Sequence, residues 1–550
     1  MRSFTGLAAL LGLRSPSVVA EDSSFLHNDR GLIGITHDST AVQPGDLYAA
    51  LPGSKHHGAE FCEQAAAAGA VAVLTDPAGR DRAIRSGLPV FVVAEPRARL
   101  GEVASWVYGN PSGRLLLIGV TGTSGKTTST YLIESGFRRA GYQTGLVGGV
   151  ETRIAGLVEP SKLTTPEATE LQALLAVMAE RRVTAAAMEV SSHALALGRV
   201  GGTSFEVAVF TNLSQDHLDF HADMDSYFAA KAELFTPRYA KSGVVNLDDD
   251  YGRLLVGRAQ IPVTTFSAAG RGDADWRAVD VRCGADGSNF QVVGPGGVQA
   301  DACTALPGPF NVSNALGAIV ALVEVGVGLS AAVDGVAACA GVPGRLERVE
   351  SGQDLTVLVD YSHKPGAVHA VLSALRPVTT GSLRVVLGCG GDRDRAKRPM
   401  MGAAAAELAD IAILTSDNPR SEDPLAILAE MLTGALTVPQ DKRGHVIIEP
   451  DRAAAINLAI AGAGKGDVVV IAGKGHERGQ YIAGQMIAFD DREVAAEALA
   501  ELARNEQARS GLRRARQFSS GGTGASHPPH SPRAADVGPA QAGFEPEGDA

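Results

Sequence analysis

Short apolar runs alternate with spans of helical composition along most of the chain, a rhythm that predicts largely parallel sheets flanked by helices. In the first block, residues 46–51 read as a strand after the Pro44-Gly45 turn. Residues 61–68 have helical composition, and 71–75 and 89–93 are apolar strands. Asn110-Pro111-Ser112-Gly113 is a turn cluster that marks a boundary. A second block opens with a buried-strand run at 115–120, then a Gly-rich loop and a helix to about residue 140. Further strands are expected at 184–190, 207–211 and 243–246, and residues 273–301, rich in Gly and Val, predict a small antiparallel excursion. Val342-Pro343-Gly344-Arg345 marks the next boundary. Strand runs at 356–359, 384–387, 411–415, 446–448 and 468–471 then form another α/β unit. The expected domains are 1–110, 111–343 and 344–505; apolar periodicity fades near 517, and 506–550 is expected to be a disordered tail.

Length and composition narrow the class. The 550 residues suffice for three or four domains with separate cores. Lys and Arg number 49 against 61 Asp and Glu, a net charge of −12, so a general basic footprint for duplex nucleic acid is absent. No run approaches the ~20 apolar residues of a membrane helix. Residues 7–13 are apolar and Val18-Val19-Ala20 looks like a cleavage sequence, but the run is short and meets Arg14 and Pro16 at once. It reads as a leading amphipathic segment rather than a signal peptide. Five scattered cysteines without C-x-x-C argue against a disulfide framework or zinc cluster and fit a reducing cytoplasm.

The chemistry begins at Gly119-Val120-Thr121-Gly122-Thr123-Ser124-Gly125-Lys126-Thr127-Thr128, between an expected strand and helix. This is the setting of a phosphate loop: glycines let amides close on phosphate oxygens, and the helix N-terminus adds its positive end. Lys126 would reach the β/γ-phosphates and the Thr127 hydroxyl would sit on Mg²⁺. Val120 stands where the strict pattern has Gly, so the loop is a variant. The strand at 184–188 ends in Glu189, a carboxylate placed to support Mg²⁺. Asp216, His217, Asp219 and His221 crowd a loop after another strand; with no cysteine beside them they read as surface residues or as one His joining a Mg²⁺ site. Lys231, in a helical stretch, reads by itself as an exposed helix lysine.

The motifs taken together resemble the Mur ligases, the ATP-dependent amide-bond ligases of peptidoglycan precursor synthesis. Those carrying the resemblance, besides the phosphate loop, are Leu163-Thr164-Thr165-Pro166-Glu167, Glu189-Val190-Ser191-Ser192-His193, and the stretches 212–221 and 227–235. They continue with Gly344-Arg345-Leu346-Glu347, Asp360-Tyr361-Ser362-His363-Lys364-Pro365, Gly391-Asp392-Arg393-Asp394, Asp417-Asn418-Pro419-Arg420 and Ala472-Gly473-Lys474-Gly475-His476-Glu477. Their order and spacing are specific, and they span about residues 30 to 500. Ser124, Ser362, Lys364 and Ala396 depart from the residues common in the family, and none removes an implied ligand.

The resemblance implies an α/β fold of three domains: a UDP-sugar-binding first domain, a central P-loop ATPase domain and a Rossmann-like third domain for the incoming amino acid. It implies addition of meso-diaminopimelate to UDP-MurNAc-L-Ala-D-Glu through an acyl phosphate, with ATP as substrate and two Mg²⁺. Gly122, Thr123, Ser124, Gly125, Lys126, Thr127 and Thr128 would hold phosphate, completed by Asn311, Asn314, Arg345, Asp360 and His363. Thr127, Glu189, His217 and Lys231 would serve the metals, with Lys231 carbamylated (N6-carboxylysine). Ser39 and the stretch 53–58 match the UDP region, and Thr164, Thr165, Ser191 and Arg199 the muramoyl-dipeptide region. Arg393, Asp417, Asn418, Pro419, Arg420, Gly473 and Glu477 match the diaminopimelate site, where a guanidinium at Arg420 would bind the distal carboxylate bidentately. A cytoplasmic enzyme with no nucleic-acid partner and no membrane insertion follows, and a monomer is the simplest state. The competing readings are a lysine-adding ligase, a folylpolyglutamate synthetase-like ligase, a P-loop phosphotransferase acting on a hydroxyl, and a non-catalytic ATP switch.

Overall fold

The computed structural model describes residues 2–14 and 31–520. The cleavage-like Val18-Val19-Ala20 and residues 521–550 lie outside them. Phe4–Leu11 is a helix that buries Phe4, Leu7, Ala8 and Leu11, as an amphipathic segment should. Among the described residues no helix is long and apolar enough to cross a membrane.

Three large sheets organise the described residues, with a two-stranded hairpin, Gly479–Ile482 and Gln485–Ala488, as a fourth. The first has four parallel strands in the order Gly34–Thr36, Asp46–Ala50, Ala72–Thr75, Val90–Val92. The middle sheet has eleven strands. At its centre Leu116–Thr121 lies between Phe205–Phe210 and Ala185–Glu189, parallel to both. Alternate residues of that strand feed two cores. Ile118 and Val120 pack with Leu132, Ile319 and Val336, while Leu117 packs with Met188, Leu171 and Phe210 on the other face. The antiparallel excursion exists as Trp276–Gly284, Gly287–Val293 and Gln299–Thr304 at one end of the sheet. The third sheet runs Glu347–Arg348, Thr356–Asp360, Val468–Ala472, Leu383–Leu387, Ile411–Leu414, His445–Ile448, parallel except for its first pair.

The last helix, Asp491–Ser520, corrects one expectation: residues 506–520, read as the start of a disordered tail, are helical. The segment holds four Arg, two Ala and two Gln, helix formers by propensity, though it lacks the apolar periodicity by which a helix is recognised. The helix is anchored at its start by a fully buried ion pair between Asp491 and Arg452 at 2.7 Å.

In open α/β sheets, ligands gather beyond the carboxyl ends of the strands. Here those ends carry residues 37–39 and 51–58 on the first sheet and 122–125, 190–193 and 211–217 on the middle one. On the third they carry 361–364, 388–393, 415–420 and 473–477.

Candidate active site

The phosphate loop joins Leu116–Thr121 to the helix Lys126–Arg139, and its turn requires glycine. Gly125 has φ +86°, and a Cβ there would run into the side-chain oxygen of Asn314. Asn314, on the helix Pro309–Glu324, in turn donates to Asn311 Oδ1 at 3.0 Å. Thr123 Oγ1 pairs with the Tyr227 hydroxyl at 3.0 Å, and the Ser124 amide donates to Asn212 Oδ1 at 2.9 Å. Lys126 Nζ curls back onto the carbonyls of Gly122 and Thr123, at 2.7 and 3.0 Å.

Lys231 is not the exposed helix lysine its local sequence suggests. It is 1% exposed, its Nζ donates to Gly122 O at 2.9 Å, and it lies 4.7 Å from the Tyr227 ring centroid. Burial first, and the neighbouring cations Lys126 and Lys364 next, hold its amine well below the ordinary lysine range. Burial also lowers Lys126, to about 8.

Glu189 is buried at the end of its strand, in register with Val120, and its Oε1 accepts from the Gly149 amide at 2.8 Å. Around it gather the residues expected for the dipeptide. Thr165 Oγ1 donates to Glu189 O at 2.9 Å and accepts from the Ser191 amide at 3.1 Å. Thr164 abuts Gly149, and Arg199 pairs with Glu167 at 2.8 Å. His217, at φ +54°, faces Asp216 at 3.0 Å and packs edge-on against His193; burial lowers its pKa to about 4, so the ring is neutral. Hydroxyl, carboxylate and neutral imidazole at Thr127, Glu189 and His217 fit a hard cation that keeps water and phosphate oxygens as its other ligands. No cluster of three or more His, Cys, Asp or Glu able to cage a metal occurs among the described residues.

On the first sheet, the Tyr48 hydroxyl donates to Gly58 O at 3.0 Å. Tyr48 thereby ties the strand Asp46–Ala50 to the 53–58 stretch, a link that apolar patterning hides because tyrosine counts there only as a strand former. His37 reaches Thr169 of the middle unit at 3.0 Å, just beyond Thr164 and Thr165.

Residues of the third unit reach the phosphate loop. Arg345 Nη2 donates to Thr127 Oγ1 at 3.3 Å and its guanidinium covers the Tyr361 ring. Lys364 is ion-paired with Asp216. Gly344, which precedes Arg345, has φ +67° and sits against the backbone of Gly475 and His476. The Asp360 carboxylate accepts from the Leu346 and Ser362 amides, each at 2.8 Å, and from the Ser362 hydroxyl. His363 Nδ1 pairs with Tyr361 O at 2.8 Å, and burial lowers its pKa to about 4.

Asp417, Asn418 and Glu477 converge on Lys474, and Asn418 Nδ2 donates to Glu477 Oε2 at 2.9 Å. Gly473, at φ +112°, lies against the Asp417 carboxylate. Arg420, at φ +53°, donates from Nη1 to Gly391 O at 2.6 Å, while Arg393 is exposed on the same rim. Lys474 carried no role in the sequence reading; its presence within a motif was the only signal.

Family models match three stretches: "Mur ligase family, catalytic domain" at 32–107, "Mur ligase middle domain" at 120–322 and "Mur ligase, glutamate ligase domain" at 344–475. The UDP-N-acetylmuramoyl-L-alanyl-D-glutamate–2,6-diaminopimelate ligase of Streptomyces avermitilis is 59% identical over 497 residues, covering 90% of this chain and 97% of that one. The ligase of the same name from Corynebacterium glutamicum is 47% identical over 487 residues, covering 87% and 94%. A solved structure of a ligase of that name superposes with a TM-score of 0.65 at 33% identity, covering 91% of this chain and 99% of that one. The fold, the order of the motifs and these identities agree: the chain belongs to the Mur ligase family.

Proposed function

We propose that the chain is an ATP-dependent amide ligase that adds meso-diaminopimelate to UDP-MurNAc-L-Ala-D-Glu in cytoplasmic peptidoglycan precursor synthesis. The observation that carries the reading is the contact of the third sheet with the phosphate loop. Arg345 on Thr127 and Lys364 on Asp216 hold the third unit, which carries the 417–420 loop, against the unit that carries the phosphate loop. Activation of an acid and delivery of an amine then happen in the same enclosure.

The D-glutamyl carboxylate attacks the γ-phosphorus of ATP, ADP leaves, and an acyl phosphate forms. The neutral amine of diaminopimelate adds to its carbonyl, and the tetrahedral intermediate collapses to amide and phosphate. Two anions meet in the first step, so charge neutralisation is the main task. Lys126 and the amides of 122–125 hold the phosphates, with Arg345 beside Thr127. Thr165, Ser191 and Arg199 orient the dipeptide next to Glu189. Thr127, Glu189, His217 and carbamylated Lys231 would hold two Mg²⁺, which when bound supply positive charge to the phosphate oxygens. On the amine side Arg420 takes the distal carboxylate and Glu477 the distal ammonium.

The test is phosphate release by the purified chain with Mg-ATP and UDP-MurNAc-L-Ala-D-Glu, with meso-diaminopimelate in one sample and L-lysine in another. Release only with diaminopimelate, with a tripeptide product of matching mass, is expected. Release with lysine instead would refute the role of Arg420. Release with neither would return folates and hydroxyl acceptors to consideration.

A further inference from the structure

Lys474 is fully buried, and its amino group faces three acceptors: Glu477 Oε2 at 3.1 Å, Asn418 Oδ1 at 3.2 Å and Asp417 Oδ1 at 3.6 Å. The first two are hydrogen bonds and the third is an ion pair. Asn418 is fixed from both ends, since its Oδ1 also accepts from the Tyr481 amide at 3.0 Å. Two carboxylates therefore share one cation. Asp417 is only 6% exposed, and its buried Oδ1, which makes no hydrogen bond, has the Lys474 ammonium at 3.6 Å as its compensating charge.

We propose that Lys474 is a positioning residue that determines specificity: by offsetting one of the two carboxylates at Asp417 and Glu477, it sets the charge of the pocket to favour an amino acid with a second carboxylate over one without. The inference rests on the diaminopimelate reading. With its reacting amine neutral, diaminopimelate keeps two carboxylates and one ammonium, whereas lysine keeps one of each. The two ligands differ by one unit of charge. Whatever the other charges in the pocket, deleting a cation there disfavours the more anionic ligand relative to the other. Arg420 provides the contact for the distal carboxylate, and Lys474, beneath the loop, sets the field in which that contact is made.

The test compares kcat/KM for meso-diaminopimelate and for L-lysine in the full chain and in Lys474→Gln, Lys474→Arg and Glu477→Gln, with the KM for ATP as control. The diaminopimelate-to-lysine ratio is expected to fall about tenfold or more in Lys474→Gln and to stay within about threefold in Lys474→Arg. Glu477→Gln removes an ammonium contact common to both ligands, so its opposite charge change is expected to raise the ratio while lowering both activities. An unchanged ratio in Lys474→Gln, with both activities falling together, would overturn the proposal and leave Lys474 a packing residue. Should Lys474→Gln show no cooperative melting transition, Glu477→Gln decides: an unchanged or lower ratio there overturns it as well. Wild-type protein that accepts neither amino acid would instead sink the diaminopimelate reading.

Discussion

The amino groups of Lys126 and Lys231 meet on a single acceptor, the carbonyl oxygen of Gly122, at 2.7 and 2.9 Å. Two ammonium groups converging on one oxygen repel each other, and burial adds to the cost of charging the more enclosed one. Lys231 is the more enclosed, and its pKa lies well below the usual lysine range. A neutral amine is the form that adds to CO₂. On the proposed function, that addition releases one proton and replaces the neutral amine with a carbamate anion opposite the Lys126 cation, beside the phosphates.

Lys231→Ala is therefore expected to cut ligase turnover by about 10²-fold or more, the scale of losing one preorganised charged group. A short-chain carboxylic acid added to the assay should restore part of it by supplying the missing carboxylate. Full activity of the variant with no acid present would refute the role.

Arg420 is held with its Nη1 on Gly391 O. Arg420→Asn is expected to lower kcat/KM for diaminopimelate by about 10²-fold or more, because a substrate carboxylate is left without its partner. Activity with lysine should fall much less. Equal losses for the two amino acids would show that the residue shapes the loop without reading the substrate.

The Lys364–Asp216 pair joins the third unit to the middle one. In a double-mutant cycle, Lys364→Ala and Asp216→Ala should be non-additive in kcat/KM. Small-angle scattering of Lys364→Ala with an ATP analogue and both substrates should show a less compact particle than wild type. Strict additivity together with identical scattering profiles would rule out a closing contact.

His363 and His476 are both lowered to about 4, in each case mainly by burial, with nearby Lys364 and Arg345 respectively adding to it. The unfolded chain, with histidines near 6.5, binds more protons between those two values. Their contribution to stability is thus intact above about pH 6.5 and is lost as pH falls toward 4. Thermal unfolding should shift to lower temperature over that window, and replacing both histidines with Gln should flatten the dependence. An equally steep dependence in the double variant would assign it to other groups.

Arg452 and Asp491 are both fully buried, and Arg452 also donates to Ala472 O at 3.0 Å. Arg452→Leu leaves an unpaired carboxylate in the core and is expected to cost about 3–5 kcal/mol. Faster hydrogen exchange of the Val468–Ala472 amides would report it. Unchanged exchange there would mean that Asp491 finds another partner or takes up a proton at little cost.

Much of this molecule is legible in local pattern. The apolar runs around 116–121, 205–210 and 468–472 are buried on both faces, so their strands show without a structure. The phosphate loop is legible too, since its glycines, lysine and threonine act within one strand–loop–helix turn. The strands Glu151–Ile154 and Leu157–Pro160 escaped notice because they are short and lie at an edge of the middle sheet, half or fully exposed, with no apolar run to mark them. The site divides the same way. Motif order gave Lys231 and Glu477 their expected roles only through resemblance, for nothing in the neighbouring residues says which way the lysine of this helix faces. Burial of one side chain is decided by elements far away in sequence: Gly122 meets Lys231 across 109 positions, and Asn418 meets Lys474 across 56. Periodicity follows from a residue's nearest neighbours, whereas the charge a pocket holds follows from which distant segments pack around it. The sequence determined the elements and the phosphate-binding turn; the tertiary structure alone decided that Lys231 shares an oxygen with Lys126 and that one buried lysine stands beneath two carboxylates.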